Sequence, residues 1–587
     1  MNRKATYKIA PCLYRSIHHI FTLLLLCWTV SSSAQSANNN YSSSKQVISQ
    51  GQLLFQENCA SCHNFKQQGI GPNLSGVTAE VSYQWLTKFV RNPQQLISSG
   101  DKRAVSLFNK YKIPMPAQTQ LKDTELKAIL SFIHTQKPVL TTSNNDSTLG
   151  IVLDNPIPEK IAQSALTLQL EEWATAPRTA QQGPAARVNK MVVLKGKKEK
   201  VFLEDIRGIL YELSGNKFRK VMDMTKLLPN FIHVPGHATG FGSYAFHPDF
   251  YRNGLFYTSH AEKKDAAMAD FGYPADIRVT LQWVVSEWKI DLSKADTVFT
   301  GTSRELLRIN MPGSVHGMQE ITFNPLSGPG SPDYGLLYIG IGDGGSAEDG
   351  LSQLCNSSST LWGSVLRIDP RGRNSTNGKY GIPSINPYAS DNNPKSLGEI
   401  FARGFRNPNR ISWTPDGKML ITDIGLNNVE ELNIGIAGAD YGWPYREGTF
   451  LMNYQGKMNK VYALPADDKG ITYPVLQYDH DEGNAISGGF VYTGKIASLK
   501  NKYIFGDIVQ GRIFYVATES LIQGRQATIQ EFGLSFNGTS STFREITKQS
   551  KADLRFGAGT GGDLFIYTKT DGKMWKLKDC LLKVNSQ

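Results

Sequence analysis

The amino-acid sequence predicts a multidomain chain in which a small all-α domain is followed by an all-β six-bladed propeller. Three patterns indicate this. Residues 46–138 include an amphipathic run at 123–136 that is typical of a helix, residues 186–582 consist of short β-branched and aromatic runs bounded by turn residues, and a stretch rich in Ser, Thr, Asn and then Pro and Ala separates them at 139–185. We expect this stretch to be an interdomain linker.

Residues 1–34 have the pattern of a secretory signal peptide. Basic residues without any acid precede an apolar run at 20–30, and Ser32-Ser33-Ala34 supplies small residues for cleavage. The run is too short to span a bilayer comfortably, and a retained anchor is the alternative. We expect the mature chain to be periplasmic or secreted and to contain no transmembrane segment.

The charge balance does not indicate a nucleic-acid partner. The whole chain carries a formal net charge of +12, and removing the leader with its four basic residues lowers this to +8. The excess is spread along the chain without a Lys/Arg block, which favours solubility over nucleic-acid binding.

One short motif indicates the chemistry of the first domain. Cys59 and Cys62, separated by two residues and followed at once by His63, form the pattern of a covalent attachment site for a c-type haem. Both thiols bond the porphyrin, and the imidazole becomes the proximal iron ligand. The alternatives are a zinc half-site, which lacks a second Cys or His pair nearby, and a reactive thiol pair, which does not need the histidine.

The sixth iron ligand is predicted by elimination. Met115 is the one methionine between the leader and Lys137, and prolines on both sides hold its loop rigid. A thioether opposite histidine is a common ligation in electron-transfer haem proteins. His134, in an amphipathic run, is the alternative ligand.

Residues 46–138 resemble a small class I cytochrome c. The resemblance rests on a helix before the haem motif, a Gly-Pro-Asn-Leu loop at 71–74, the methionine loop and a final helix. It implies haem c as the cofactor and electron transfer as the role of this domain.

The propeller is predicted from a recurring theme. A Pro/Asp/Gly turn followed by a hydrophobic strand with an aromatic residue near its end returns six times, which implies six blades. The copies begin at Val201, Ala245, Phe323, Trp413, Lys502 and Gly561. An array of β-sandwiches is the alternative, but it does not explain one theme recurring six times.

Two cysteines of the predicted mature chain, Cys355 and Cys580, lie outside the haem motif. An oxidising compartment permits a bridge between them. The sequence leaves open whether they pair.

Several motifs of the second domain resemble the glucose/sorbosone dehydrogenase family. They are AFHPDF at 245–250, GIGDGG at 340–345, VLRIDP at 365–370, GFRNP at 404–408 and YGWP at 441–444. Members of this family are six-bladed propellers, many of which bind pyrroloquinoline quinone (PQQ) with Ca²⁺ and oxidise sugars. The resemblance implies the same cofactors and a sugar or alcohol substrate here.

The resemblance assigns the catalytic pair. His316 lies where the family has its general base, and a near-neutral pKa suits histidine to take the hydroxyl proton while hydride leaves the same carbon. Asp343 matches the carboxylate that orients this histidine and stabilises its imidazolium. On sequence alone, His316 is equally a loop histidine and Asp343 a turn residue among glycines.

The resemblance also implies cofactor contacts. Arg406 and Asn407 match residues that contact PQQ. This cofactor has three carboxylates and a quinone carbonyl, and a fixed guanidinium can both bind PQQ and activate it. A structural salt bridge is the alternative for Arg406. Arg512 and Arg555 are further basic candidates for the PQQ carboxylates.

A Ca²⁺ site is implied in the same way, since this hard cation takes oxygen ligands. The matching residues are Gly425 and Leu426, through their backbone carbonyls. Glu430 and Glu431 fall where a second, structural Ca²⁺ is possible. One departure from the family lies just before residue 245, where a polar residue near the substrate hydroxyl is absent unless His237 substitutes for it.

These inferences predict an exported quinohaemoprotein dehydrogenase. It would oxidise a sugar or alcohol at PQQ–Ca²⁺ and pass electrons to its own haem c, and then to a respiratory acceptor. The opposing hypothesis is a non-catalytic propeller that binds a carbohydrate or protein partner, as in a branch related to hedgehog-interacting proteins, with the cytochrome as an electron relay or redox sensor.

Overall fold

The computed structural model describes residues 40–60, 62–65, 71–111, 115–138, 149–181, 184–196, 199–234, 237–274, 276–292, 299, 302–347, 350–466, 468–549 and 551–582. The predicted leader at 1–34 lies outside the described residues. Within them, no helix has the length and apolar character needed to cross a membrane.

The first described part of the chain is helical. Its helices are α1 (Lys45–Asn58), α2 (Val77–Glu80), α3 (Tyr83–Arg91), α4 (Pro93–Ser98), α5 (Lys102–Tyr111) and α6 (Asp123–Thr135). The Ser82 side chain caps α3 by accepting the Trp85 N–H, and Asn92 caps α4 by accepting the Gln95 N–H. The predicted small all-α domain is confirmed.

Helices α1 and α6 cross closely and form the core of this domain. A Cβ at Gly51 of α1 would lie 2.0 Å from the carbonyl oxygen of Ala128 in α6, so only glycine permits this approach. Phe55 packs beside the crossing with Leu126 and Ile129. The crossing therefore fixes the segment that leads directly into the haem motif.

The second domain is almost entirely β-structure, as predicted. In chain order its strands are β1 (Val152–Leu153), β2 (Ala162–Thr175), β3 (Val188–Leu194), β4 (Lys200–Asp205), β5 (Ile209–Ser214), β6 (Lys217–Asp223), β7 (Phe241–Phe246), β8 (Leu255–Lys263), β9 (Leu281–Lys289), β10 (Ser303–Met311), β11 (Glu320–Phe323), β12 (Leu337–Ile341), β13 (Ser364–Ile368), β14 (Ile400–Arg403), β15 (Pro408–Trp413), β16 (Met419–Asp423), β17 (Val429–Ile434), β18 (Arg446–Glu447), β19 (Phe450–Met452), β20 (Val461–Tyr462), β21 (Leu476–Asp479), β22 (Ile486–Val491), β23 (Lys502–Asp507), β24 (Ile513–Ala517), β25 (Gln530–Phe536), β26 (Thr539–Ser540), β27 (Leu554–Ala558), β28 (Leu564–Thr568) and β29 (Lys573–Leu582). Short helices α7 (Met224–Leu227), α8 (Phe250–Asn253) and α9 (Phe543–Thr547) lie between strands.

Most strands are arranged in antiparallel groups of four. Sheets form from β3–β6, from β7–β10, from β11–β14, and from β15, β16, β17 and β21. A nine-stranded sheet contains β22–β25 and β27–β29, joined through β2, and β26 pairs with β25 at its side. A small separate sheet has the order β1-β20-β19-β18.

Contacts between the first strands of these groups close into a ring. Strand β3 contacts β7, β7 contacts β11, β11 contacts β15, β15 contacts β22, β22 contacts β27, and β27 returns to β3. Each of the six copies of the recurring sequence theme falls in a different group of this ring. Apolar side chains fill the spaces between neighbouring groups, where for example the rings of Phe202 and Phe246 lie 4.9 Å apart.

Strand β2 corrects the prediction of a linker at 139–185. It pairs parallel with β25 and antiparallel with β29, and so joins the last two groups of strands. Leu168 and Leu170 on β2 are 0% and 2% exposed. Residues 162–175 are therefore an integral strand, because both edges of β2 are hydrogen-bonded, whereas 139–148 lie outside the described residues.

The two cysteines of the β-domain are both unpaired in the described chain. Cys355 is buried in an apolar cluster with Leu361 and Trp362, and Cys580 is buried in another with Tyr492 and Leu499. The open possibility of a bridge between Cys355 and Cys580 is therefore decided against.

Candidate functional site

The four residues of the predicted haem site line one cavity. Cys59, Cys62, His63 and Met115 all border it, and apolar side chains of α3, α5 and α6 supply much of the remaining wall. An apolar cavity with a few polar groups suits a porphyrin, and an imidazole and a thioether suit its iron.

His63 is oriented by a backbone carbonyl. Its Nδ1 lies 2.9 Å from the carbonyl oxygen of Pro72, which can only accept a hydrogen bond. Nδ1 therefore carries the proton, and Nε2 is left to bind a metal. A Cβ at Gly71 would lie 2.4 Å from Cε1 of this ring, so the loop can approach the imidazole only with glycine there.

His134, the alternative sixth ligand, is engaged elsewhere. Its Nδ1 lies 3.0 Å from Oγ1 of Thr78, and its ring stacks on Tyr41 with centroids 4.3 Å apart. It is absent from the lining of the cavity among the described residues, whereas Met115 is present. The geometry thus favours Met115.

In the β-domain, His316 and Asp343 form a close pair. Nδ1 of His316 lies 2.7 Å from Oδ1 of Asp343, and the same oxygen accepts the N–H of Gly345 at 2.9 Å. The pairing leaves Nε2 of His316 for a substrate. His316 also has φ of +50°, a conformation that residues with a Cβ rarely adopt.

The surroundings favour a neutral His316. Burial, and then the positive charge of Arg406, lower the pKa of His316 below its ordinary value of 6.5, although Asp343 opposes them. Burial alone raises the pKa of Asp343, but His316 and Arg406 outweigh it, so the pKa of this carboxyl is lowered. A neutral imidazole held by a carboxylate is the arrangement required of a general base.

Arg406 and Asn407 lie beside this pair. The Asp343 N–H donates to the carbonyl oxygen of Arg406 at 2.8 Å. Both backbone N–H groups of Arg406 and Asn407 donate to the carboxylate of Asp423, at 3.0 and 2.6 Å. Asp423 therefore holds the backbone that presents the two side chains.

Three buried polar atoms at this site lack a hydrogen-bond partner within the described part of the chain. They are Nε of Arg406, Oδ1 of Asn407 and Oδ2 of Asp343. Buried polar groups in native proteins are nearly always paired. The unpaired Nε–H of Arg406 therefore fits an acceptor such as a carboxylate or carbonyl oxygen of PQQ, and the unpaired oxygens of Asn407 and Asp343 fit a ligand donor.

The turn predicted to bind Ca²⁺ faces Arg406. The guanidinium donates to the carbonyl oxygen of Gly425, and the N–H of Leu426 donates to the Glu447 carboxylate at 2.7 Å. The described residues contain no group of three or more His, Cys, Asp or Glu that could hold a metal ion. Side chains alone therefore do not make a Ca²⁺ site here, and the Gly425 carbonyl predicted as a ligand is engaged by the Arg406 guanidinium.

Glu430 is corrected as a Ca²⁺ ligand. Its Oε1 lies 2.9 Å from Nε2 of His480, and its Oε2 accepts the N–H of Ile486 at 2.8 Å. Both oxygens are therefore engaged in holding neighbouring strands. Glu431 is similarly engaged, since its carboxylate accepts hydrogen bonds from the Gly448 N–H and the Asn433 amide.

The other two basic candidates are not brought to Arg406 by any contact of the described residues. Arg512 is bound by the carboxylates of Glu482 and Glu531, at 2.9 and 2.6 Å. Arg555 donates to Oδ1 of Asn189 at 3.2 Å and pairs with Asp553. Both guanidinium groups therefore have acidic partners of their own.

Sequence reasoning missed the role of Asp423 and placed His237 near the substrate rather than at the haem cavity. Asp423, which organises Arg406 and Asn407, stands directly before the predicted Ca²⁺ turn, and that position was the available signal. Burial and then Glu431 raise the pKa of Asp423 well above its ordinary range, and burial raises the pKa of Glu431 to about 7. The second residue is His237, which borders the haem cavity although it belongs to the β-domain.

Comparison with known families agrees with this geometry. The profile of the glucose/sorbosone dehydrogenase family matches residues 200–554, more than half of the chain. The chain belongs to this family. A cytochrome c profile matches residues 48–137. Together the two matches confirm the predicted fusion of a cytochrome c domain with a glucose/sorbosone dehydrogenase domain.

Relatives of the glucose/sorbosone dehydrogenase domain include a HIPL protein and a quinoprotein glucose dehydrogenase. The HIPL2 protein of Arabidopsis thaliana is 30% identical over 304 residues, which are 45% of this chain and 42% of that protein. Quinoprotein glucose dehydrogenase B of Acinetobacter calcoaceticus is 26% identical over 254 residues, 40% of this chain and 47% of that protein. The chain thus spans less than half the length of either relative. Among solved structures, the PQQ-bound aldose sugar dehydrogenase of Streptomyces coelicolor is 18% identical with a TM-score of 0.46, covering 71% of this chain and 98% of that chain.

Proposed function

We propose that this chain is an exported quinohaemoprotein dehydrogenase that oxidises a sugar or an alcohol. The observation that carries the proposal is the His316–Asp343 pair beside Arg406, with buried polar atoms that lack partners in the described chain. Haem c, held in the cavity that the haem motif borders, would supply the second redox centre. Export rests on the leader pattern at 1–34.

Within the proposal, His316 accepts the proton of the substrate hydroxyl at Nε2. Asp343 keeps the other nitrogen protonated and stabilises the imidazolium that forms. Arg406 and Asn407 would hold PQQ by donating N–H hydrogen bonds to its carboxylates and carbonyls. When bound, PQQ would supply a two-electron acceptor and haem c a one-electron carrier.

The electron balance requires a further partner. Oxidation of a CH–OH group releases two electrons and two protons, so a one-electron respiratory acceptor must be reduced twice in each turnover. Ca²⁺ enters the proposal only at the carbonyls of Gly425 and Leu426, and no step depends on it. Arg512 is not proposed as a PQQ contact, because Glu482 and Glu531 bind it. Arg555 stays a candidate for contact with the PQQ carboxylates.

We further propose that the β-domain is a six-bladed propeller. The closed ring of contacts from β3 back to β3 passes through six groups of strands. The nine-stranded sheet then comprises two blades, and β2 is the strand that joins them. Closing a ring with a strand from the start of the domain protects edges that would otherwise be exposed.

A second candidate function is a propeller that binds a carbohydrate or protein partner without catalysis, with the cytochrome as a relay or redox sensor. The relatives favour it, since human Hedgehog-interacting protein is 25% identical over 392 residues, 65% of this chain and 49% of that protein. The His316–Asp343 pair does not favour it, because a binding surface has no need of an oriented base.

The deciding experiment uses the full chain with haem attached. PQQ and Ca²⁺ are added, PQQ binding is titrated, and haem absorbance is followed while a panel of sugars and alcohols is offered. The proposal predicts haem reduction that depends on both substrate and PQQ. If PQQ fails to bind at micromolar concentration, the binding-module alternative takes its place.

A matched pair of variants locates the cofactor. Arg406→Ala should weaken PQQ binding about tenfold or more, because it removes a buried charged donor. Arg512→Ala should leave PQQ binding unchanged, since its guanidinium is already bound by two carboxylates. If Arg512→Ala weakened PQQ binding and Arg406→Ala did not, the PQQ site would lie away from Arg406.

A further inference from the structure

One residue of the β-domain borders the haem cavity. Among its described lining residues, all except His237 lie between Asn58 and Ile133, in the cytochrome domain. His237 is 5% exposed. The β-domain therefore supplies part of the cavity wall, and a group that fills the cavity would reach both domains.

The segment that carries His237 is fixed to the β-domain. The amide of Gln319 donates to the carbonyl oxygen of Ala238 at 3.1 Å, and the hydroxyl of Thr239 accepts the Val234 N–H at 2.7 Å. A Cβ at Gly240 would lie 2.0 Å from the carbonyl oxygen of Ile206. With φ of +115° as well, this position requires glycine.

The ring of His237 is anchored by a serine. Its Nδ1 is hydrogen-bonded to Oγ of Ser314, which is 1% exposed. Its Nε2 has no hydrogen bond to another described residue. The Nε2 edge is thus the polar part of the ring that a group in the cavity can use.

Ser314 is two residues from His316. The segment 314–316 therefore has the anchor of His237 at one end and the proposed base at the other. A hydrogen bond and two peptide units connect the wall of the haem cavity with the His316–Asp343 pair.

We propose that His237 is a haem contact supplied by the β-domain, and that it couples the haem through Ser314 to the loop bearing His316. The iron itself is assigned to His63 and Met115, because both come from the domain that carries the attachment cysteines and border the same cavity. The part played by this contact in electron transfer rests on the proposed function. The contact itself does not.

The test uses the full chain with haem attached and no PQQ. His237→Ala should shift the paramagnetically displaced NMR signals of the haem methyl groups and alter the reduction potential. The sulfur-to-iron absorption band of the ferric haem should persist, because Met115 still binds the iron. Ser314→Ala, which keeps the ring and removes its anchor, should shift the same signals less.

His233→Ala is the matched control. His233 lies four residues earlier, bonds Arg187 at 3.2 Å through Nε2, and does not border the cavity. It should leave the haem signals unchanged. Unchanged haem signals in both His237→Ala and Ser314→Ala would overturn the proposal, as would loss of the sulfur-to-iron band in His237→Ala.

A second measurement separates this proposal from the proposed function. With PQQ and substrate present, His237→Ala should slow haem reduction about tenfold, while His233→Ala reduces at the rate of the parent chain. If the parent chain itself shows no substrate-driven reduction, the proposed function fails and the NMR result still decides the contact. If the parent reduces haem and His237→Ala reduces it equally fast, the coupling through Ser314 is refuted.

Discussion

His316 combines two features that a loop histidine has no reason to combine. Its backbone lies in the left-handed region, and its Nδ1 is bound by a fully buried carboxylate. Conformations of this kind persist when surrounding structure imposes them, and they concentrate at functional sites. Gly342 contributes to this, since a Cβ there would lie 2.4 Å from the carbonyl oxygen of His316.

Replacing His316 should separate catalysis from haem binding. His316→Ala is expected to lower kcat by about 10² or more, because the hydroxyl proton loses its acceptor. Steady-state kinetics with an artificial one-electron acceptor measure this, and the haem spectrum serves as the control because His316 does not border the cavity. Full activity in the variant would assign the base to another residue.

The pH dependence of kcat/KM should carry the signature of a lowered histidine pKa. The base works in its neutral form, so activity falls as pH drops through the pKa of His316, and that acidic limb should lie below pH 6.5. Asp343→Asn removes a charge that raises this pKa, so the limb should move further down as kcat decreases. A limb that moves upward in Asp343→Asn would contradict the pairing.

Met115 and His134 provide a matched comparison for the iron ligand. Met115→Ala should change the haem spectrum and lower the reduction potential, because a thioether ligand raises it. His134→Ala should change neither, since this ring contacts Thr78 and Tyr41 instead. Redox titration of both variants is the measurement. A lower reduction potential in His134→Ala and an unchanged one in Met115→Ala would make His134 the sixth ligand.

Among the strands, β2 is the one that joins the last two groups of the ring. Its apolar side chains pack in the same cluster as Trp575 of β29 and Phe536 of β25. The alternating burial along β2 is typical of a strand with one face in a core. A segment that resembles a linker in composition thus carries part of the sheet that closes the ring.

Truncating the buried face of β2 should destabilise the β-domain. Leu168→Ala is expected to cost about 2–5 kcal/mol in the free energy of unfolding, because it leaves a cavity in a packed core. Thr175→Ala, at the exposed end of β2, should change it by no more than about 0.5 kcal/mol. Denaturant unfolding monitored by tryptophan fluorescence tests both, and equal stabilities would mean that β2 is dispensable.

For the whole molecule, the shared cavity changes how the two domains are connected. A flexible tether raises the effective concentration of one domain at the other. Here a residue of the β-domain borders the haem cavity. Within the proposed function, this contact between the domains, rather than the length of the tether, would set the rate of electron transfer.

Haem reduction by substrate should accordingly be intramolecular. In a stopped-flow experiment with PQQ, Ca²⁺ and saturating substrate, the rate constant should stay the same when the protein is diluted tenfold. A rate proportional to protein concentration would indicate transfer between molecules and would contradict the docked arrangement.

The sequence by itself determined what local chemistry dictates. The spacing of Cys59, Cys62 and His63 predicted the haem site, the resemblance to a class I cytochrome c predicted the helical domain, and strand runs with recurring turns predicted the β-structure. These features depend on residues close together in the chain, so no knowledge of folding is needed to recognise them. Met115 was predicted in the same way, as the one methionine in its segment.

Only the tertiary structure decided what depends on distant segments meeting. In the structure, Glu430 and Arg512 bind partners that lie 19 or more residues away in the chain. Residues 162–175, predicted as part of a linker, form a paired strand. The tertiary structure also brought His237 to a cavity whose other described walls begin at Asn58. The physical reason is that hydrogen-bond partners and buried faces are selected by packing between elements, which composition and spacing do not encode.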